Sequence, residues 1–351
     1  MPIEKFTVSK DDSVYEAWPD VVQTDSGKLI CVFSECEHHL DRTNARIMIC
    51  ESTDRGRTWS KKKPLTQKGT KENFFNNARI SKLPNGKLAI ICDRVFGNED
   101  RYAEIYVWYG DGEGTAWDEP IVYPFCGIVP DKLRVLKSGR MIIAAHFKNR
   151  ETNKLEQYLW YSDDNGNTWS DRVTVAADPK LNLCEVSILE CEDGALVAFL
   201  RENSCKGYDI LKVFSYDGGE TWSPISPTSM DCGHRPVSGF LADGRVMVTY
   251  RYIPRAANNV FAAFINKGDL FKIKREEQWI RIMPLDYDPS PGADLGYTGW
   301  TQFDDGEIYV VNYIKDDADK AQIRGYSFYP IDVKRPVPEN STDLFLKRNA
   351  K

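Results

Sequence analysis

Charged and aromatic side chains that could bind a polar ligand recur at the ends of short apolar segments in this 351-residue sequence. The apolar segments occur in pairs. The residues at the start of the first segment of each pair are Asp20, Arg79, Lys132, Arg134, Glu185, Arg235 and Tyr297. The residues at the end of the second segment are Glu35, Asp93, Arg94, His146, Arg201, Glu202, Arg251, Arg255 and Tyr313. Charged groups in nearly every pair favour recognition of an anionic ligand, because arginine contacts carboxylates in a bidentate manner. The sequence leaves open the alternative that many of them form ordinary surface ion pairs.

The elements that must position these side chains are six copies of one pattern, in which an alternating strand, a turn that ends in glycine and a second apolar strand follow each other. The turn glycines are Gly27, Gly86, Gly139, Gly194, Gly244 and Gly306. A polar residue before the glycine is typical of a tight β-hairpin. The copies are about 50 to about 62 residues apart, the size of a propeller blade. The sequence therefore predicts an all-β, six-bladed β-propeller with its site at one mouth of the central channel.

A second repeat, S-x-D-x-G-x-T-W, occurs within residues 51–60, 161–171 and 214–224, and a degenerate copy lies at 109–119. In three blades it directly follows the third β-like segment. We expect a turn between the third and fourth strands, in which Asp and Ser bond local backbone N–H groups and Gly supplies a positive φ. The Trp is expected to cover the sheet edges. These turns are predicted to be scaffold on the rim, away from the channel mouth.

The two ends of the chain are predicted to behave differently. The last hairpin and "QIRGYSFYP" provide only three strands, and Ile3–Val8 is an isolated strand without a blade of its own. We expect it to supply the outer strand of the last blade and so close the ring. Residues 331–351 are predicted to form a tail on the surface. No linker divides the sequence, so we expect one domain over 1–351.

Composition excludes several classes of function. Lys and Arg number 46 against 52 Asp and Glu, which gives a net charge of −6 without a basic patch for nucleic acid or an anionic membrane. The nine cysteines show no spacing typical of zinc ligands, and reduced thiols are expected. No signal peptide and no membrane-spanning segment is visible, which favours a cytoplasmic location. No metal or cofactor is expected, and the oligomeric state is not predicted.

Three segments then resemble the sialidase (neuraminidase) superfamily, whose members carry the same S-x-D-x-G-x-T-W turns on six-bladed propellers. "CEVSILECEDGALVAFLRE" is similar to the segment with a glutamate at the start of one strand and an arginine at the end of its partner, here Glu185 and Arg201. "GYTGWTQFDDGEIYVVNY" resembles the blade with the catalytic tyrosine, here Tyr297. "SECEHHLDRTNARIMICESTDRGRTWS" matches the acid/base aspartate loop, which implies Asp41. "IPRAANNVFAAF" loosely resembles a segment with a substrate-carboxylate arginine, which implies Arg255.

The resemblance implies an exo-glycosidase that hydrolyses a terminal acidic sugar with retention through a tyrosine nucleophile. A carboxylate nucleophile would be repelled by the carboxylate on the anomeric carbon of a 2-keto sugar acid, whereas a neutral phenol is not. Glu185 would take the phenol proton, and a protonated Asp41 in a partly desolvated loop would donate to the departing oxygen. Tyr297 is expected within hydrogen-bonding reach of Glu185 and opposite Asp41 across the mouth.

Family members open their first blade with Y-R-I-P, whose arginine leads a three-arginine carboxylate clamp, whereas this chain has "YEAWPDVV" with Ala17 at that position. The residues expected to bind substrate are Arg79, Arg201, Arg235, Arg251, Arg255, Asp20 and His234. Arg201 is expected to converge on one pocket with at least one of Arg235, Arg251 and Arg255. The incomplete clamp leaves open another acidic sugar, with Trp18 and Asp20 reshaping the subsite.

Two further classes of function remain open from the sequence. Lyases or hydrolases on similar propellers cleave uronate-linked glycans with His, Tyr and Arg, and His38, His39, His146 and His234 keep this alternative alive. His38 and His39 are expected to be polar loop residues rather than metal ligands. The remaining alternative is a non-catalytic, glycan-binding propeller.

Overall fold

Six antiparallel sheets, five with four strands and one with five, surround a central channel in the computed structural model, which describes residues 3–97, 102–254 and 259–330. The chain begins with β1 (Glu4–Ser9). Blade one contains β2 (Tyr15–Gln23), β3 (Leu29–Cys36), β4 (Arg46–Ser52) and β5 (Lys63–Pro64). Blade two contains β6 (Asn73–Phe75) and β7 (Arg79–Lys82), which both pair with β8 (Leu88–Phe96), then β9 (Tyr102–Gly110) and β10 (Ile121–Tyr123). Blade three contains β11 (Arg134–Val135), β12 (Met141–Lys148), β13 (Leu155–Ser162) and β14 (Val173–Ala176).

The second half of the ring repeats the same order. Blade four contains β15 (Leu183–Glu190), β16 (Leu196–Glu202), β17 (Leu211–Ser215) and β18 (Ser226–Pro227). Blade five contains β19 (Gly233–Phe240), β20 (Val246–Tyr252), β21 (Asn259–Ile265) and β22 (Ile280–Tyr287), with two 3₁₀ helices, Lys267–Asp269 and Arg275–Glu277, before β22. Blade six contains β23 (Leu295–Gln302), β24 (Ile308–Ile314) and β25 (Gln322–Phe328). The predicted six-bladed propeller is thereby confirmed.

The ring is closed by the first strand, as predicted, with bounds one residue later than expected. β1 pairs antiparallel with β25, so the last sheet has the order β1-β25-β24-β23. The innermost strand of blade one, β2, contacts β23 of blade six as well as β7 of blade two. Pairing the chain's two ends removes the open edge that an unclosed ring would expose. The predicted tail, 331–351, lies outside the described residues.

The core lies between blades, because each strand presents one apolar face to the neighbouring sheet. Between blades three and four, Ile142 and Leu159 pack with Leu183 and Leu196, and all four are almost inaccessible to solvent. Sheets that bury both faces need apolar residues at nearly every position, which explains the continuous apolar runs of β3 and β16. The described residues include no helix long and apolar enough to cross a membrane.

The repeated aspartate motif forms the predicted turn between the third and fourth strands. In the copy after β13, Asp164 accepts hydrogen bonds from the Ser162 hydroxyl (2.8 Å), the Thr168 backbone N–H (2.8 Å) and the Thr168 hydroxyl (2.6 Å). The Trp169 indole donates to the Gly166 carbonyl (3.1 Å). Every polar group of the motif thus has a local partner, as expected of scaffold.

These turns lie at the end of the blade opposite the candidate site. In blade one, the motif begins with Ser52, whose partner across the sheet is Leu29, next to the hairpin turn. The turn also joins neighbouring blades, since Tyr309 of blade six donates to the Gly56 carbonyl (2.7 Å). A side chain at Gly56 would lie within about 2.2 Å of the Tyr309 ring, so only glycine fits this contact.

Candidate active site

One irregularity recurs in the innermost strands and brings functional side chains to the same level of the channel. The register with the second strand shifts by one residue at Ala17/Asp20, Cys184/Ser187, His234/Val237 and Leu295/Thr298. Each of these β-bulges contains one residue with positive φ, namely Trp18 (57°), Glu185 (51°), Arg235 (52°) and Gly296 (104°). Non-glycine residues adopt this conformation at a cost of about 1 kcal/mol or more, and such positions concentrate at functional sites.

Glu185, Tyr297 and Arg201 meet at the centre of this level. The Tyr297 hydroxyl donates a short hydrogen bond to Glu185. Arg201, on the strand paired with β15, donates from one nitrogen to both Glu185 carboxylate oxygens (2.9 Å each) and to the Tyr297 oxygen (3.0 Å). All three side chains are nearly buried. The structure therefore places Tyr297 within hydrogen-bonding reach of Glu185, on blades that are not neighbours in the ring.

Electrostatics fixes the protonation of this pair in the free protein. Burial would raise the pKa of Glu185, but the positive charges of Arg201 and Arg235 outweigh it and hold that pKa well below the usual range. Burial and the Glu185 charge raise the pKa of Tyr297 above its usual value, despite the same arginines. The site thus holds a carboxylate next to a neutral phenol, the charge states that a proton transfer from Tyr297 to Glu185 requires.

Two further arginines surround the Tyr297 ring. The guanidinium carbon atoms of Arg235 and Arg251 lie 5.5 Å and 5.1 Å from the ring centroid. Buried nitrogens without a hydrogen-bond partner occur in Arg201 (Nε), Arg235 (Nε and Nη1) and Arg251 (Nε). Unpaired buried donors are costly, and a bound anion would satisfy them. The predicted convergence of Arg201 with Arg235 and Arg251 is present in the geometry, whereas Arg255 lies outside the described residues.

Asp294, which the sequence analysis did not select, anchors the wall beside Arg251. It accepts hydrogen bonds from the hydroxyls of Tyr313 (2.7 Å) and Tyr15, and its other polar neighbours are His39 (2.5 Å) and Arg251 (3.6 Å). Burial opposes ionisation, but the His39 contact dominates and lowers the pKa of Asp294 to about 2. Its position directly before β23 gave no signal in the sequence, because the partners come from blades one, five and six.

Asp41 lies in the loop between β3 and β4 of blade one. Its carboxylate accepts from the Thr43 N–H (3.0 Å), lies 3.9 Å from the Lys71 ammonium, and is 39% exposed. The contacts with Thr43 lower the pKa of Asp41. The partly desolvated, protonated aspartic acid expected from the sequence is therefore corrected to an accessible carboxylate in the free protein. Its role as acid and base stays a prediction.

Asp93 is a second carboxyl group near the centre, and it was noted in the sequence only as a residue at a strand end. It is fully buried, accepts from the Asn76 amide (3.1 Å), and burial raises its pKa to about 6. Because no part of it is accessible to solvent, it cannot touch a substrate without rearrangement. Asp93 instead ties β8 to the irregular segment between β6 and β7.

Asp20 and Arg79 lie in contacts that join blades. Asp20 accepts from the Ile80 N–H (2.9 Å) and pairs with Lys132 (3.1 Å), and Arg79 donates to the Thr298 carbonyl (2.9 Å). Asp131 makes the equivalent bond to the Ile188 N–H (2.9 Å), so this link between neighbouring blades is repeated. A substrate role for Asp20 and Arg79 stays a prediction.

The predicted histidines fall into two groups. His146 and His234 are buried, and burial together with nearby arginines lowers their pKa values to about 4 and about 3. His146 Nδ1 accepts from the Glu185 N–H (3.3 Å) and so supports the bulge. His234 instead lines a cavity of about 600 Å³ with Glu202 and Tyr208. His38 and His39 line another, of about 420 Å³, and among the described residues no cluster suited to a metal ion is found.

Comparison with known proteins agrees with this architecture. The chain is 32% identical over 136 residues to "Anhydrosialidase" of Macrobdella decora and 27% identical over 184 residues to "Sialidase" of Paraclostridium sordellii. The matched segments are 34% and 43% of this chain but only 16% and 46% of those proteins, so the chain spans less than half of either relative.

Solved structures share the fold. A protein of unknown function from Dyadobacter fermentans superimposes with a TM-score of 0.79 at 21% identity, covering 93% of this chain and 99% of that one. The NanB sialidase of Streptococcus pneumoniae gives 0.66 at 14% identity, with coverage of 94% and 70%. An α-L-arabinofuranosidase of Fusarium graminearum gives 0.64 at 11% identity, with coverage of 93% and 97%. A model of the BNR repeat-like domain matches residues 113–310, more than half of the sequence, and the chain therefore belongs to this family.

Proposed function

We propose that the protein is a retaining exo-glycosidase of the sialidase type, which removes a terminal sugar acid through a covalent intermediate on Tyr297. The observation that carries the proposal is the shared contact of Tyr297, Glu185 and Arg201 at the channel mouth. A tyrosine beside a carboxylate base and a fixed guanidinium has the elements of an activated nucleophile.

In the first half-reaction, the Tyr297 oxygen attacks the anomeric carbon while its proton passes to Glu185. The bond to the leaving oxygen breaks, and Asp41 supplies a proton to that oxygen. In the second half-reaction, Asp41 takes a proton from water, which attacks the anomeric carbon. The Tyr297 oxygen then departs and recovers its proton from Glu185. The full cycle, which starts with Asp41 protonated and Glu185 ionised, returns both side chains to these protonation states.

An anionic substrate would strengthen the base that it needs. In the free protein, Arg201 and Arg235 hold Glu185 ionised and make it a weak base. A carboxylate bound between the arginines partly neutralises their charge, and the pKa of Glu185 then rises toward that of a useful proton acceptor. This physical coupling favours sugar acids over neutral sugars at the chemical step as well as in binding.

The test is a screen of the purified protein against sialosides and uronate-linked oligosaccharides. We expect a sugar acid as product, with the α anomer formed first from an α-linked substrate. Because one relative is named an anhydrosialidase, the products are also examined for an anhydro sugar. A 3-fluoro sugar acid fluoride should form a covalent adduct on Tyr297, which mass spectrometry detects. An unsaturated uronate product would support a lyase, and saturable binding without product would support a glycan-binding propeller.

A further inference from the structure

Blade one presents an aromatic ring where blades four and five present charge. Ala17 is fully buried, and the bulge that follows carries Trp18 at the position that Glu185 and Arg235 occupy in blades four and five. Because the bulges share their register and their left-handed residue, Trp18 is directed to the same level of the channel mouth. Its ring lies within 5.3 Å of the His39 ring and 6.1 Å of the Tyr313 ring. The strand itself supplies no cation here.

A cation nevertheless reaches this place from a loop. The Arg42 guanidinium lies over the Trp18 ring, with its central carbon 3.6 Å from the ring centroid. The side chain is half-buried. Burial lowers the pKa of Arg42, and the nearby acidic groups act against this. Tyr313, whose ring lies beside Trp18, also lies with its ring centroid 6.2 Å from that of Tyr297, which links this position to the proposed nucleophile. Stacking on an aromatic face holds a guanidinium without using its hydrogen-bond donors.

Arg42 has a side-chain hydrogen bond with the Cys36 thiol, and its other donors are available to a ligand. The adjacent Asp41 lies near Lys71 instead, and no carboxylate within the described ranges forms an ion pair with Arg42. All five N–H groups of a guanidinium lie in its plane, so a guanidinium stacked by its face keeps them free at its edge. A planar carboxylate matches that edge with two parallel hydrogen bonds.

We propose that Arg42, held flat on Trp18, binds the carboxylate of the sugar acid in place of the strand arginine that Ala17 replaces. The inference rests on the proposed function and deepens it by assigning the carboxylate subsite to a loop residue and its aromatic support. Arg42 and Arg201 then approach the anion from different blades, with Tyr297 between them. The subsite selects ligands that carry a carboxylate. Because Arg42 lies on a loop, the position of that loop determines which acidic ring fits beneath the guanidinium.

The experiment measures binding, so that it does not depend on turnover. N-acetylneuraminic acid and glucuronic acid, each with its methyl ester, are titrated into wild-type protein and followed by NMR. We expect at least one acid to bind more tightly than its ester. Arg42→Gln should reduce that acid's affinity by about tenfold or more, the loss typical of a charged hydrogen bond, and leave the ester unchanged. Arg42→Lys should recover only part of the loss, because an ammonium lacks the planar pair of donors.

The matched control is Arg172→Gln, which removes another stacked arginine, 4.1 Å above the Tyr158 ring on the surface of blade three. It should leave every affinity as in wild type. The assignment is overturned if neither acid binds better than its ester, or if Arg42→Gln weakens acid and ester equally or neither. If the protein shows glycosidase activity and Arg42→Gln still prefers acids to esters, the proposed function stands and the assignment of the subsite to Arg42 is wrong. If acids bind selectively through Arg42 but no substrate is turned over, the assignment of the subsite stands and the proposed function is wrong.

Discussion

Glu185 and Tyr297 stand on blades four and six, with blade five between them, yet the Tyr297 hydroxyl donates its hydrogen bond to the Glu185 carboxylate. The contact crosses the channel mouth because both residues lie at the bulges of their innermost strands. Arg201 bonds to both partners and fixes their relative position. This arrangement carries the proposed chemistry and the predictions that follow.

Replacing Tyr297 with Phe should abolish turnover while the fold persists. The ring still packs between Arg235 and Arg251, but the nucleophilic oxygen is lost. We expect kcat to fall by about 10³-fold or more, since covalent catalysis has no substitute in the site. Tyr216→Phe, at a tyrosine that is 73% exposed, is the control and should keep full activity. Full activity of Tyr297→Phe on the natural substrate would mean that another group attacks the sugar.

Replacing Glu185 with Gln should cost both activity and stability, with a defined dependence on pH. The amide cannot accept the phenol proton, and it leaves Arg201 buried without its anion, a change that typically costs about 3–5 kcal/mol of unfolding free energy. The native pKa of Glu185 lies below its ordinary value of 4.5, so the carboxylate stabilises the fold above that pH. The difference in unfolding free energy between wild type and variant should shrink as pH falls below about 4.5. Urea unfolding at several pH values measures it, and a difference independent of pH would contradict the assigned charge state.

Replacing Asp41 with Asn should affect substrates according to their leaving group. A good leaving group departs without protonation, whereas a sugar alcohol needs the acid. We expect Asp41→Asn to lose kcat/KM on oligosaccharides and to keep much of kcat/KM on nitrophenyl glycosides, although hydrolysis of the intermediate slows on both. The pKa of Asp41 is lowered, so its acid form is scarce at neutral pH, and kcat/KM for oligosaccharides should rise on acidification in wild type only.

Asp93→Asn is the companion to this experiment. Because Asp93 is inaccessible to solvent and bonds Asn76, its replacement should lower the melting temperature without discriminating between leaving groups. Selective loss on poor leaving groups in Asp93→Asn, with Asp41→Asn unaffected, would transfer the role of acid to the buried residue.

Replacing Asp164 with Ala should lower the melting temperature and leave kcat and KM unchanged. The substitution removes the acceptor for the Ser162 and Thr168 groups at the end of blade three opposite the site. Thermal unfolding and steady-state kinetics on the same preparation test both parts. A change in KM with an unaltered melting temperature would place this turn in substrate binding rather than in the scaffold.

The sequence by itself determined the repeating parts of this protein. The alternation of apolar residues, the turn glycines and the S-x-D-x-G-x-T-W turns are local patterns whose hydrogen bonds close within a few residues, so they predict hairpins, blades and their number. The closing strand was also predictable, because an isolated strand and an incomplete last blade leave one pairing. Glu185, Arg201 and Tyr297 were identified through short segments that resemble sialidases.

The tertiary structure alone decided how the site is filled. In four of the six blades, which side chains face the channel depends on a one-residue bulge and a left-handed residue in the innermost strand, and neither follows from apolar periodicity. The tertiary structure places the guanidinium of Arg42, a loop residue, on the Trp18 ring, beside the position where the strand arginine of the carboxylate clamp is absent. It also places Asp20 and Arg79, which look equally suited to a ligand in the sequence, in contacts between blades. The charge pattern of the sequence indicates that ionic groups gather near one mouth. Only the packing distinguishes the groups that face a substrate from those that hold the scaffold together.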